Sequence, residues 1–113
     1  MTTRIRSILV ILAAGALQSA NAACNYPAEV SVPDGGTATE AEMKAANQAV
    51  KEYMAKVEEY LACLDGEEKD LGDTVTEEQK SVHTAKHNAA VDALNAVAAR
   101  YNEQVQIFKQ RGK

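Results

Sequence analysis

The sequence predicts an all-α protein: an antiparallel two-helix hairpin with an extended N-terminal arm, preceded by a signal peptide. Three observations carry that expectation. Two boxes of the form Thr-x-x-Glu/Gln, Thr39–Glu42 and Thr76–Gln79, each precede a long segment in which apolar residues recur at spacings of three and four. One acidic stretch with two glycines separates those segments. The two cysteines, Cys24 and Cys63, stand one in the arm and one late in the first helical segment.

Taken in order, the chain begins with Arg4 and Arg6, an apolar run from Ile8 to Leu17, and the small-x-small sequence Ala20-Asn21-Ala22. Charge, short apolar run and small residues at the cleavage positions form a secretory signal over 1–22. The apolar run is too short for a membrane anchor, which needs ~20 such residues. A lipoprotein signal is disfavoured although Cys24 follows closely, because Asn21 stands where its box carries Leu. Removing residues 1–22 takes away two arginines and no carboxylate, so the formal charge falls from −4 to −6. That balance argues against nucleic acid as a partner, since phosphate binding needs clustered Lys and Arg. No later segment is apolar enough to span a membrane.

Export places the cysteines in an oxidising compartment, periplasmic or extracellular, where two cysteines in a small chain read as one disulfide. It joins Cys24 to Cys63 within one chain or links two chains. From 23 to 38 the sequence holds Tyr26-Pro27, Val32-Pro33 and Asp34-Gly35-Gly36, an extended arm ending in a turn. Cys63 lies roughly 36 Å along the first helix at 1.5 Å per residue. The arm spans up to ~50 Å when extended, so it can run back along that helix, with Tyr26, Val30 and Val32 covering it as a third layer.

The helical hairpin occupies 39–113. The first helix opens at the Thr39 box and is expected to reach about Asp65, with Gly66 as a left-handed cap. Its stripe is Met43, Val50, Met54, Val57, Leu61 and Leu64, with Asn47 at the missing position. The second helix opens at the Thr76 box, and its stripe is Val91, Leu94, Ala98, Tyr101, Val105 and Phe108. Alternating spacings of three and four are those of a coiled-coil seam. With the short connector between them, the helices must pack antiparallel.

Three groups of residues stand out as candidate sites. His83 and His87 share a helix face one turn apart and can chelate Zn²⁺ or Cu²⁺ if a carboxylate completes the set. With the connector centred near residue 71, facing residue numbers sum to roughly 142, which puts His83 near Glu58 and Glu59 and makes Glu59 the expected third ligand. The pair lacks the intervening Glu of the metalloprotease helix motif. Residues 58–78 carry nine acidic side chains against Lys69 alone, an acidic hairpin tip. Counted from Asp65, that stretch has Asp70 and Thr76 where a calcium loop needs Gly and Glu. Finally, helices of about 26 and 34 residues leave the second overhanging by roughly two turns. The overhang carries Val105, Ile107 and Phe108 among Lys109, Arg111 and Lys113, a partner surface unless the arm covers it.

The chain shows no Ser-His-Asp set, phosphate loop or paired buried carboxylates, and a two-helix domain offers little room for a pocket that perturbs them. The Cys24 arm with its two prolines, the Thr39 to Met43 opening and Tyr60-Leu61-Ala62-Cys63-Leu64 resemble small exported helical proteins of proteobacteria that carry no assigned activity. The resemblance implies export and helix content and transfers no site residue. The expected function is therefore non-catalytic and cofactor-free. The protein acts through protein–protein interaction or self-association; the alternative is periplasmic metal binding by the His pair.

Overall fold

The computed structural model describes residues 23–112. The expected signal peptide falls on residues 1–22, outside the described residues. An extended arm leads into helix α1 (Glu40–Leu71), a 3-10 turn (Gly72–Thr74) and helix α2 (Glu77–Arg111), which returns antiparallel to α1. The described residues contain no strand.

Both helices start where their boxes dictate. The Thr39 hydroxyl accepts from the Glu42 N–H at 3.1 Å, and the Glu42 carboxylate accepts from the Thr39 N–H at 3.0 Å. Thr76 and Gln79 repeat the exchange at 3.1 and 2.9 Å. Each box satisfies two amides that the first helical turn leaves without partners.

The end of α1 departs from the sequence expectation. Gly66 does not cap the helix; it lies within it, and α1 continues to Leu71. An interior glycine costs about 1 kcal/mol against alanine, too little to stop a helix whose next residues favour it. Gly72 takes the cap instead, with φ +53°, and its N–H reaches the Lys69 carbonyl. The helices are thus 32 and 35 residues long, and the expected two-turn overhang is absent. The register shifts with the connector: Asn47 meets Tyr101 and Asp65 meets His83, pairs that both sum to 148.

The arm forms the third layer. Cys24 and Cys63 are bonded to each other within the chain, with Cα atoms 5.8 Å apart. The Tyr26 ring meets Tyr60 edge-on at 5.4 Å between centroids, and its hydroxyl hydrogen-bonds that of Tyr53. At the other end of the arm, Asp34 closes a turn by accepting from the Thr37 and Ala38 amides at 3.1 and 2.8 Å. Gly35 presses on α2, where its N–H donates to Gln104 Oε1 at 2.8 Å. A Cβ on Gly35 would collide with the Gln104 carbonyl, so only glycine fits this approach.

The core follows from three layers. Val50, Tyr53, Val57, Tyr60 and Leu64 of α1 pack with Ala90 and Val97 of α2, and Val30, Leu61, Leu94 and Tyr101 close the edges. α1 buries seven residues and α2 two, because α1 is covered on one side by α2 and on another by the arm. The second-helix seam runs through Ala90, Leu94, Val97 and Tyr101, with Ala90 and Val97 in place of the Val91 and Ala98 that the sequence spacing predicts. Val91 and Ala98 are half-buried beside it. Small Ala90 lets the backbones approach, and the bulkier valine fits the flank.

Candidate functional site at the hairpin tip

Beyond Leu64 on α1 and before Ala90 on α2, no residue is buried. Here the helices flank a groove of about 300 Å³. Leu64, Leu71, Val75 and Val82 supply its apolar lining, and Glu67, Glu68 and Glu78 its carboxylates, with His83 and Lys86 on the α2 side. Leu71 is 37% exposed and Val82 47%, among the most exposed large apolar side chains described.

The local sequence sets this geometry. Glu68 falls four residues after Leu64, so it continues the α1 face that looks toward α2. On α2 the observed seam, read backward from Ala90, continues through His87 and His83 at spacings of three and four. Toward the tip, therefore, the seam itself turns from apolar to ionisable. His83 Nε2 lies 3.3 Å from Asp65 Oδ1 and 3.2 Å from Glu68 Oε2, and its side chain is 17% exposed. The His87 ring stands 6.3 Å from that of His83, tilted by 32°.

These positions bear on each expected site residue. His83 faces α1 as anticipated, but its carboxylate neighbours are Asp65 and Glu68. Glu59 instead borders a shallow groove on the arm side with Asn25, Pro27, Lys56, Tyr60 and Cys63. The register shift of six is the cause. Val105 and Phe108 are half-buried, and Ile107 is 37% exposed with its Cγ2 near Gly36. The Arg111 guanidinium lies 4.8 Å from the Phe108 ring centroid and donates to the Ala38 carbonyl at 2.7 Å. This end of α2 is thus dressed by the arm's turn.

Among the described residues, one trio of Cys, His and acidic side chains has every donor pair within 4.8 Å: Cys24, Cys63 and Glu67. Its sulfurs are consumed by the disulfide, and the Glu67 carboxylate accepts from the Cys24 N–H at 3.3 Å. Under the arm, burial, together with the hydrogen bond to Tyr26 and the charges of Tyr26 and Glu29, pushes the Tyr53 phenol up to about 12. That hydroxyl is a structural group closed off by the arm.

Sequence reasoning missed Asp65, Glu68, Leu71 and Val82. Leu71 was visible as the residue seven after Leu64, and Glu68 as the one four after it. No helix among the described residues is long and apolar enough to cross a membrane. Comparison with family models, curated proteins and solved structures finds no match for this chain.

Proposed function

We propose that this chain is an exported, non-catalytic binding protein of the periplasm or external medium, and that it engages a protein partner through the hairpin tip. The partner presents a basic segment with aliphatic anchors. The observation that supports this reading is the exposure of Leu71 and Val82 in a groove bordered by Glu67, Glu68 and Glu78. Aliphatic anchors gain affinity by leaving water, and the carboxylates steer a basic segment and reject an acidic one. The leader-like pattern of residues 1–22 and the Cys24–Cys63 disulfide support the compartment.

Self-association through the opposite end is less well supported. Gln104, Ile107 and Arg111 already meet the arm's turn, and Val105 and Phe108 are half-buried. Asp34, Glu40 and Glu42 share that end with Arg111, so it is of mixed charge and does not complement the acidic tip.

Fluorescence titration with an amphipathic Lys/Leu peptide tests the reading, alongside a Lys/Gln peptide of equal charge. The Lys/Leu peptide should bind, more weakly as salt rises, and the double variant Leu71→Ser/Val82→Ser should lower its affinity at least about tenfold, or 1.4 kcal/mol. Equal binding of the two peptides, or undiminished binding to the variant, would show charge attraction alone and remove the docking reading. A concentration-dependent dimer in light scattering, dispersed by Ile107→Ser, would favour self-association instead.

A further inference from the structure

We infer that the polar seam at the hairpin tip is a binding site for a borderline divalent metal ion, Zn²⁺ or Cu²⁺, held by His83, Asp65 and Glu68 with His87 as the fourth donor. The site shares Glu68 and His83 with the groove of the docking reading but does not rest on that reading, because it needs no partner.

Four features of the tip carry it. First, the donors come as two helical pairs, Asp65/Glu68 at i,i+3 on α1 and His83/His87 at i,i+4 on α2. Pairs at those spacings project from one helix face, and facing pairs are how helical bundles build metal sites. Second, the cross-helix separations fit. Two ligands bound about 2.05 Å from one tetrahedral ion stand about 3.3 Å apart, and His83 Nε2 is 3.3 and 3.2 Å from the two carboxylate oxygens. Third, imidazole nitrogen with carboxylate oxygen suits Zn²⁺ and Cu²⁺ and is a poor set for Ca²⁺ or Mg²⁺, which take oxygen donors. Fourth, the surrounding carboxylates of residues 58–78 raise the local concentration of any dication.

The two carboxylates reach His83 from different sides, farther than 4.8 Å from each other, so one must swing inward to share an ion. The mutual repulsion of the two carboxylates opposes that movement until an ion neutralises it, and exposure leaves both side chains room to turn. The Asp65 side chain is 67% exposed and that of Glu68 37%. His87 stands one turn along α2 with its ring centroid 6.3 Å from that of His83, and it must turn toward the carboxylates to serve as the fourth donor. Binding would tie α1 to α2 in the region where no buried side chain does so.

Titration calorimetry of the disulfide-bonded protein with Zn²⁺ and with Cu²⁺ tests the inference. One ion should bind per chain, and His83→Ala should weaken it at least about tenfold, as loss of a ligand or its support does. Asp65→Asn and Glu68→Gln should each weaken it by a smaller factor, while Glu59→Gln leaves it unchanged. Zn²⁺ should raise Tm, with the rise removed by chelator and not reproduced by Mg²⁺. Absence of saturable binding, affinity unchanged in His83→Ala, or equal losses from Glu59→Gln and Glu68→Gln would overturn the site. If His83→Ala loses helicity by circular dichroism, the double variant Asp65→Asn/Glu68→Gln at exposed positions decides: retained wild-type affinity refutes the inference.

Discussion

Two halves of one hairpin, divided near Cys63, are built on different principles. Below the disulfide, three layers meet and every buried residue is found; above it, two helices run on alone with none. The helices themselves do not change character there, since both are continuous through the boundary. What changes is the arm. Two packed helices can each bury one stripe, and here α2 buries only Ala90 and Val97. α1 buries far more because Tyr26 and Val30 close its second face over Tyr53 and Tyr60. A pair of helices too poor in large side chains to make a core becomes stable where a third strand of chain is pinned across it. The unpinned tip keeps its shape through its capping box, its 3-10 turn and the His83 contacts. Regions with few buried contacts open most readily, and binding segments are drawn from them.

Cutting the pin gives the largest expected effect. In the chain-entropy model, joining residues 39 apart in sequence stabilises by about 4 kcal/mol. Reduction, or Cys63→Ser, should remove roughly that amount in denaturant unfolding and deprotect the amides around Tyr53 in hydrogen exchange. Protection around Val82 should change little. Equal loss of protection in both halves would mean that the tip depends on the arm after all.

Truncation on either side of the boundary sharpens the contrast. Leu64 is 2% exposed at the upper edge of the core, and Leu64→Ala should cost about 3 kcal/mol from lost burial and the cavity left behind. Val82, 47% exposed, should tolerate Ser with a change near zero, within about 0.5 kcal/mol. Denaturant midpoints of the two variants measure this directly. A comparable loss in both would show that the groove is packed more tightly in solution than its geometry indicates.

A smaller effect isolates the arm's contact with α1. The Tyr53 phenol is raised from its ordinary 10.0 to about 12, chiefly by burial. Its neutral form is therefore favoured by the fold, so this stability is complete below pH 10 and is lost as pH rises through 12. Tyr53→Phe should abolish that alkaline limb and cost about 1 kcal/mol at neutral pH, the worth of one hydrogen bond. The Tyr26 hydroxyl is partly exposed and can turn to water. An unchanged alkaline limb in the variant would place its origin elsewhere.

What the sequence made legible tracks the strength of the local chemistry. Helix starts were readable because a Thr hydroxyl three residues before Glu or Gln has one good use. The arm's path and its cross-link were readable because chain length and helix rise leave it room to reach Cys63. The helix end was not, because Gly66 and Gly72 present the same local signal and only the continuation of the stripe to Leu71 separates them. That one choice moved the register by six. With it went the partner of His83, from Glu59 to Asp65 and Glu68, and the overhang expected to expose Val105 and Phe108. Ala90 and Val91 posed a similar ambiguity. Bulk favours the valine and close backbone approach favours the alanine; the valine reading carries the seam through His87 to Thr84 and so hides the place of His83 on it.

The smallest effect is the most discriminating, because its sign carries the answer. A Cβ placed on Gly66 meets nothing within 4 Å, and its φ is not positive, whereas Gly72 has φ +53°. Within a helix, replacing glycine by alanine stabilises by up to about 1 kcal/mol. At a left-handed cap the same change destabilises, since the Cβ is forced into a conformation that glycine alone adopts freely. Gly66→Ala should therefore raise Tm and Gly72→Ala lower it. The reverse pattern would restore a shorter first helix and, with it, a register that puts Glu59 beside His83. Because Gly66 sits between Asp65 and Glu68, the alanine should also slow opening of the tip, seen as protection of amides 67–71 in hydrogen exchange. The packed half should show no change, which is what separates a local gain in helix propensity from a global gain in stability.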